Sequence, residues 1–376
     1  MRLSVPLVRI FGIPIRLNIS WFLIFGFVTL ILALEVFPAA LPPDTAARVY
    51  WSLALISGLL FFASILVHEL AHSVVAKALG IPVKGITLFI FGGVAQITKE
   101  ATRPLAEFAM AVVGPASSLL LAAVFFLLYV FVDFSRAPSI NVMWEWLWLM
   151  NLGVAVFNMA PGFPMDGGRV LRSIVWGLTG DFRRATLLAS WCGRGMAYLL
   201  MFVGITSATG VLPWLSTESG VWFVLLGFFL EGAARQSWQQ LKLLEFLREH
   251  KVADVMSTTQ LAVPAGADLQ SVVPAGLDIR RLYFLVSDGQ RVVGVLSGNE
   301  LKAVPQARWQ TVTAGEAMLP SDRVRVVSPD ADTASVLQAM EGDDTRELPV
   351  VADGRLVGTV SREAIIGLLT AHKLLR

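Results

Sequence analysis

Six apolar runs lie near residues 19–38, 51–79, 105–132, 142–160, 186–212 and 219–234. At about 20 residues each they are long enough to cross a bilayer as helices. Between the second and third runs, the stretch 86–97 is apolar, rich in β-branched residues and broken at Gly92-Gly93, and it is too short for a helical span. A β-hairpin dipping into the cytoplasmic face of a membrane protein fits it best. Irregular backbone at that depth must be covered by protein or line a cavity. Residues 237–251 are charged and helix-prone and predict a linker helix. Beyond them the pattern repeats at a period of about 62–65 residues, the scale of a supersecondary unit. Asp254-Val255-Met256 returns as Glu316-Ala317-Met318, and the Asp288-Gly289 turn with its flanking strands returns at Asp353-Gly354. Each unit reads as strand, helix, hairpin, helix, and a matched pair can bury a shared face. The domains expected are therefore 1–236 in the membrane, a linker at 237–251 and a soluble α/β module at 252–376.

Composition sharpens this division. Of the 376 residues, 55% are hydrophobic and 15% are charged, well below the charge content of an ordinary soluble enzyme. Only 26 of the 58 charged residues fall in 1–236, and the other 32 crowd into the last 140 positions. No basic stretch suited to tracking phosphates is present, so nucleic acid is not an expected partner. The single cysteine, Cys192, excludes an intramolecular disulfide. With six spans, fifteen Lys and Arg collect on the side of the termini, and only Arg48 and Arg136 lie on the other. A cell-membrane protein with both termini cytoplasmic follows. Met1–Asn18 lacks a small-residue cleavage site and reads as a cytoplasmic or interfacial lead-in. Glu107 and Glu145 fall near span ends, where solvated or interfacial positions suffice. Arg194 lies inside a span, where it snorkels or pairs internally. Trp144, Trp146 and Trp148 read as an interfacial aromatic belt.

The second span carries His68-Glu69-Leu70-Ala71-His72. Positions i and i+4 share a helix face, so both imidazoles can reach one ion with Glu69 beside it. Zn²⁺ accepts two neutral imidazoles and a carboxylate and keeps a fourth position for water. Counted from Trp51 at the outer face, His72 lies about 31 Å along the helix, near the cytoplasmic edge of the core. The fourth span runs to the same depth and ends in Asn158-Met159-Ala160-Pro161-Gly162-Phe163-Pro164-Met165-Asp166-Gly167. Alone, Asp166 reads equally well as a helix N-cap. Beside a two-histidine site lacking a third ligand, the ligand reading prevails.

The two motifs together resemble the site-2 protease family of intramembrane zinc metalloproteases, and the Gly92-Gly93 hairpin is similar to its membrane-reentrant loop. Residues 252–372 resemble a tandem pair of cystathionine-β-synthase (CBS) domains. The fold class implied is an α-helical polytopic membrane protein of about six transmembrane helices plus a membrane-reentrant β-hairpin, with a C-terminal α/β tandem CBS module. The resemblance implies one Zn²⁺ per chain on His68, His72 and Asp166, with Glu69 as general base. It implies that Asn158 places substrate or steadies the oxyanion; the sequence equally allows a capping amide there. The substrates implied are single-span membrane proteins, cut near the cytoplasmic face. CBS pairs commonly bind an adenine nucleotide and associate face to face as homodimers. The corresponding phosphate and ribose positions here are Ser297 and Glu300 in the first copy and Ser361 in the second, where the carboxylate is missing. The competing readings are an inactive protease-like receptor, which the intact Glu69 opposes, and a CBS-regulated transporter. A transporter predicts mid-membrane charges and repeated spans.

Overall fold

The computed structural model describes residues 4–90, 92–97, 101–132, 138–210, 217–258, 262–273, 283–289, 291–342, 345–352 and 355–372. Arg2, Phe91, Lys99, Glu100, Arg136 and the Asp353-Gly354 turn lie outside them. The chain divides into two compact units, Met1–Gln239 and Gln240–Arg376.

In the first unit the lead-in forms a β-hairpin. Strands β1 (Ser4–Ile10) and β2 (Ile13–Asn18) are joined by a turn in which Phe11 and Gly12 have φ of 50° and 78°. Ile13 and Ile15 alternate inward and are nearly fully buried, but the intervening Pro14 and the following Arg16 obscure that period of two in the sequence. Strand β2 runs parallel to β3 (Val83–Phe89), with Ile15 opposite Ile86, and β3 turns back into β4 (Gly92–Ile97), giving the sheet order β1-β2-β3-β4. The anticipated hairpin is therefore half of a four-stranded sheet, and β4 is its edge.

Five helical segments among the described residues are long and apolar enough to cross a membrane. The first, Ile19–Ala40, is composite: α1 (Ile19–Ile31) is capped by the Asn18 side chain, which accepts from Ser20 N at 3.0 Å, and passes through a π-turn at Leu32–Val36 into α2 (Phe37–Ala40). The others are α3 (Ala47–Ala78), α4 (Pro104–Phe131), α5 (Pro138–Asn158) and α7 (Phe182–Ala208). Their outward faces stay apolar, as at Leu120 and Phe202, which suits contact with lipid. The sixth predicted run falls inside α8 (Thr217–Glu249), which is not among the five; Glu231 interrupts its apolar stretch. Between α5 and α7 the chain forms α6 (Asp166–Thr179), which ends at Gly180 in the left-handed conformation (φ 71°).

One polar position also differs from expectation. Glu107 is not solvated: it is 1% exposed on α4 and accepts from Arg172 on α6, with the Arg172 Nε at 2.7 Å. The Arg172 guanidinium lies between the rings of Phe163 and Phe182, 5.1 and 4.7 Å from their centroids. Arg194 pairs internally, 3.2 Å from Glu231, and donates to the Tyr198 hydroxyl. Trp144 stacks on Phe125 and Trp146 lies edge-on to Phe61.

In the second unit, each repeat has its own core, one around Phe284 and Leu296 and one around Val350 and Val360. The repeats exchange their leading segments. After Met256, Ser257 pairs with Thr359 on β10 (Arg355–Ser361) of the second repeat, whereas Leu319, after Met318, pairs with Val295 on β7 (Arg291–Ser297) of the first. A Cβ at Gly294 would overlap Met318, and Gly358 sits equivalently against Met256. The two methionine motifs seen in the sequence are these exchanged segments. The end of α8 belongs here too: Leu247 is buried in the core of the second repeat.

Candidate metal centre

Helix α3 carries His68 and His72 one turn apart, both 4% exposed, and directs them at α4 and α6. Their Nε2 atoms lie 3.2 Å from each other and 3.1 and 3.0 Å from Asp166 Oδ2. Asp166 is the first residue of α6, preceded by Met165 as N-cap, so its carboxylate is directed to the imidazoles and does not cap the helix. A tetrahedral ion with ligands at about 2.0–2.1 Å separates its donor atoms by roughly 3.3 Å. The observed triangle is close to that size.

The protonation pattern argues in the same direction. His72 Nδ1 donates to the Met110 carbonyl at 2.5 Å, and a carbonyl cannot donate in return. In the neutral ring, Nε2 then presents a lone pair towards a second imidazole nitrogen and a carboxylate oxygen. Lone pairs converging at 3 Å repel unless a cation lies among them. His68 Nδ1 shares a hydrogen bond of 2.9 Å with the Ser118 hydroxyl, which orients the other ring. Two imidazoles and one carboxylate, buried and converging, fit a borderline-soft divalent cation such as zinc.

Helix α4 makes room for this arrangement. Met110, Gly114 and Ser118 fall at i, i+4 and i+8, on one face. The outer two hold the imidazoles, and Gly114 faces the rings themselves. A Cβ there would lie 2.7 Å from His68 Nε2 and would overlap His72. Sequence reasoning missed these three residues; the signal was a small residue midway between two hydrogen-bonding partners on a single helix face. Likewise, a Cβ at Gly93 would lie 3.0 Å from Glu69 Cδ, so glycine allows the edge strand β4 to lie against Glu69. The Ala95 peptide N–H hydrogen-bonds the Glu69 carboxylate.

The metal ligands and Glu69 line a cavity of about 770 Å³, together with Arg169 and Asn158. Asn158 ends α5 and donates from Nδ2 to the Val154 carbonyl at 3.0 Å, so part of its amide caps its own helix. The three CBS positions are in the second unit and are used locally. Ser297 N–H and hydroxyl both donate to Glu300 Oε2, and the Ser361 hydroxyl accepts from Ala364 N at 3.1 Å. These are helix caps.

Comparison with known proteins agrees with the geometry. The family model of Peptidase family M50 matches residues 57–139 and 133–202, and that of the CBS domain matches 314–371. A Synechocystis sp. protein named as a zinc metalloprotease is 34% identical, the alignment covering 95% of this chain and 93% of that protein. Zinc metalloprotease MJ0392 of Methanocaldococcus jannaschii is 27% identical, with 97% and 96% covered. Among solved structures, the site-2 protease from Methanocaldococcus jannaschii is similar, with 28% identity and a TM-score of 0.43, covering 62% of this chain and 95% of that one.

Proposed function

The chain belongs to peptidase family M50, the intramembrane zinc metalloproteases of site-2 protease type, and on that premise we propose that it hydrolyses peptide bonds in transmembrane segments of single-span membrane proteins, near the cytoplasmic face. The observation that carries this reading is the buried triangle of His68, His72 and Asp166 with Glu69 beside it on the same helix turn.

His68, His72 and Asp166 would hold the ion, with Met110 and Ser118 fixing the two imidazoles. When bound, zinc supplies Lewis acidity that polarises a carbonyl and lowers the pKa of water towards about 7. Glu69, adjacent in sequence to one ligand yet turned towards β4, takes the proton from the attacking water and returns it to the leaving nitrogen. Asn158 offers the unspent part of its amide to the substrate in the same cavity.

A helical substrate hides its peptide bonds and has to be opened first. Strand β4 is a sheet edge and runs beside Glu69, so an extended segment added to it would lie along the catalytic side chains. Proline substitution in β4 is expected to depress cleavage while zinc content stays unchanged. The fifteen-to-two distribution of basic residues supports cytoplasmic termini, with α8 as a sixth crossing. Control by an adenine nucleotide is supported by the CBS likeness, although Ser297, Glu300 and Ser361 are already engaged as caps.

The test is cleavage of a panel of single-span membrane proteins by the purified chain beside Glu69→Gln, with metal assayed in both. Cleavage by the wild type, with zinc but no cleavage in the variant, is the expected result. Metal in both and cleavage in neither would favour a receptor that keeps the site without using it.

A further inference from the structure

Arg169 follows Asp166 by three residues on α6, so the two side chains share a helix face. The guanidinium lines the same cavity as Glu69, Asn158 and the ligands, and its side chain is 25% exposed. Its acidic neighbour is Glu107, with Arg169 Nε 4.0 Å from Oε1, beyond hydrogen-bonding range. That oxygen is already taken by Nε and Nη2 of Arg172. Among the described residues, Arg169 therefore has an acid close enough to hold it in place but no hydrogen-bond acceptor. Arg172 discharges the structural role of tying α6 to α4. Arg169 is left with its planar set of five donors at the wall of the cavity.

An unpaired donor group in a partly buried site is costly, and it is of use where the reaction itself delivers an acceptor. Peptide hydrolysis does so. As the water oxygen bonds to the carbonyl carbon, the π pair of the C=O moves onto its oxygen, and the water proton passes to Glu69. The adduct then collapses, the C–N bond breaks, and the nitrogen takes that proton. Negative charge thus appears on the carbonyl oxygen only between these two events. Arg169 and Glu69 line the same cavity with no hydrogen bond between them among the described residues, so the guanidinium does not occupy the carboxylate.

Resting on the peptidase reading above, we infer that Arg169 is a catalytic residue whose guanidinium donates to the scissile carbonyl oxygen as that oxygen becomes an anion. A fixed donor aimed at developing charge contributes about 100-fold or more to such reactions.

The experiment uses the full-length, zinc-loaded protein in detergent and two uncleavable peptides built on one sequence that the wild type cuts. One is a phosphinic peptide, tetrahedral and anionic at the scissile position; the other is its uncharged ketomethylene counterpart. Zinc content and melting temperature are measured alongside. Arg169→Gln is expected to weaken the phosphinic peptide by about 100-fold and the ketomethylene by less than about 3-fold, with zinc retained. Arg169→Lys should recover about 10-fold of the loss, since charge returns without the planar fork. Equal losses for both peptides, or no selective loss of the phosphinic one, overturn the inference. Loss of zinc from both variants reassigns the residue to holding Asp166 and also overturns it. If the zinc-loaded wild type neither cuts the panel nor binds a phosphinic peptide, the peptidase reading fails first and takes this inference with it. Binding by the wild type with indifference to position 169 sinks the inference alone.

Discussion

Replacing Gly114 by alanine adds one carbon, and the structure fixes what that carbon meets. It would stand 2.7 Å from His68 Nε2 and 2.5 Å from His72 Cε1. Ordinary contacts begin near 3.4 Å, so the rings or the helix must withdraw by at least about 0.9 Å. Helix α4 cannot retreat freely, because Met110 and Ser118, one turn to either side, hold those rings by hydrogen bonds of 2.5 and 2.9 Å. The adjustment therefore falls on the metal triangle, where distances are tolerated to about 0.2 Å. Loss of a supporting partner alone costs 10–100-fold in metal affinity. Displacing the ligand nitrogens themselves should cost at least about 100-fold. Competition titration with a chelator, on protein whose helicity is checked by circular dichroism, measures this directly. Gly153→Ala is the control: it lines the same cavity on α5 with open space around its Cβ direction, and it should bind zinc as the wild type does. Wild-type zinc affinity in Gly114→Ala would falsify the close approach of α4 to the ligands.

Three further outcomes can be checked. Arg172→Met takes the hydrogen-bonding partner from the buried Glu107 carboxylate and leaves it only Arg169 at 4.0 Å, and should lower stability by about 3 kcal/mol in detergent unfolding; a change under about 1 kcal/mol would mean that Arg169 takes over the pair. Ser361→Ala removes the cap of α13 (Arg362–Ala371) and should cost about 1 kcal/mol, with the same loss in melting temperature whether or not ATP is present; an ATP-dependent loss would return that hydroxyl to a nucleotide site. Glu347, on β9 (Glu347–Ala352), has its carboxyl held above the usual range by burial and by the nearby Glu363, against a hydrogen bond with Thr359. The folded state then binds the proton more tightly, so stability falls as pH rises from the unfolded value towards the folded one. Glu347→Gln should therefore raise the melting temperature at pH 7 and have little effect below about pH 4; stabilisation that is independent of pH would contradict this.

What the sequence revealed and what it hid follow from how far apart the interacting residues lie. His68 and His72 are i, i+4 on a single helix, so their convergence is a local property and visible in a line of text. Asp166 is 98 residues from His68, yet the matched depth of two spans brought it to the same level. The five long helices were legible because lipid demands length and apolarity of every residue along them. The N-terminal hairpin was obscure because its strands are short and its partner β3 lies some 70 residues away. Glu107 was misplaced because its partner Arg172 belongs to a short helix that no apolar run had marked. The supporting face of α4 was missed for a similar reason: Met110 and Gly114 resemble any other residues of a lipid span until the rings opposite them are known.

The exchange of leading segments in the CBS module governs the order in which that module can be made. The last turns of α8 and the segment Val252–Ser257 leave the ribosome first, yet the core that receives Leu247 and the strand that receives Ser257 lie beyond residue 327. Until Val350, Val360 and Ile365 have been synthesised, the apolar end of α8 has nowhere to dock. Contacts closed over so long a stretch of chain form late and slowly. A polypeptide stopped after the first repeat would keep the strand Leu319–Pro320 but leave Leu247, Val252 and Met256 uncovered. A nascent or truncated chain lacking the final 50 residues would therefore have no core into which these apolar side chains could be buried.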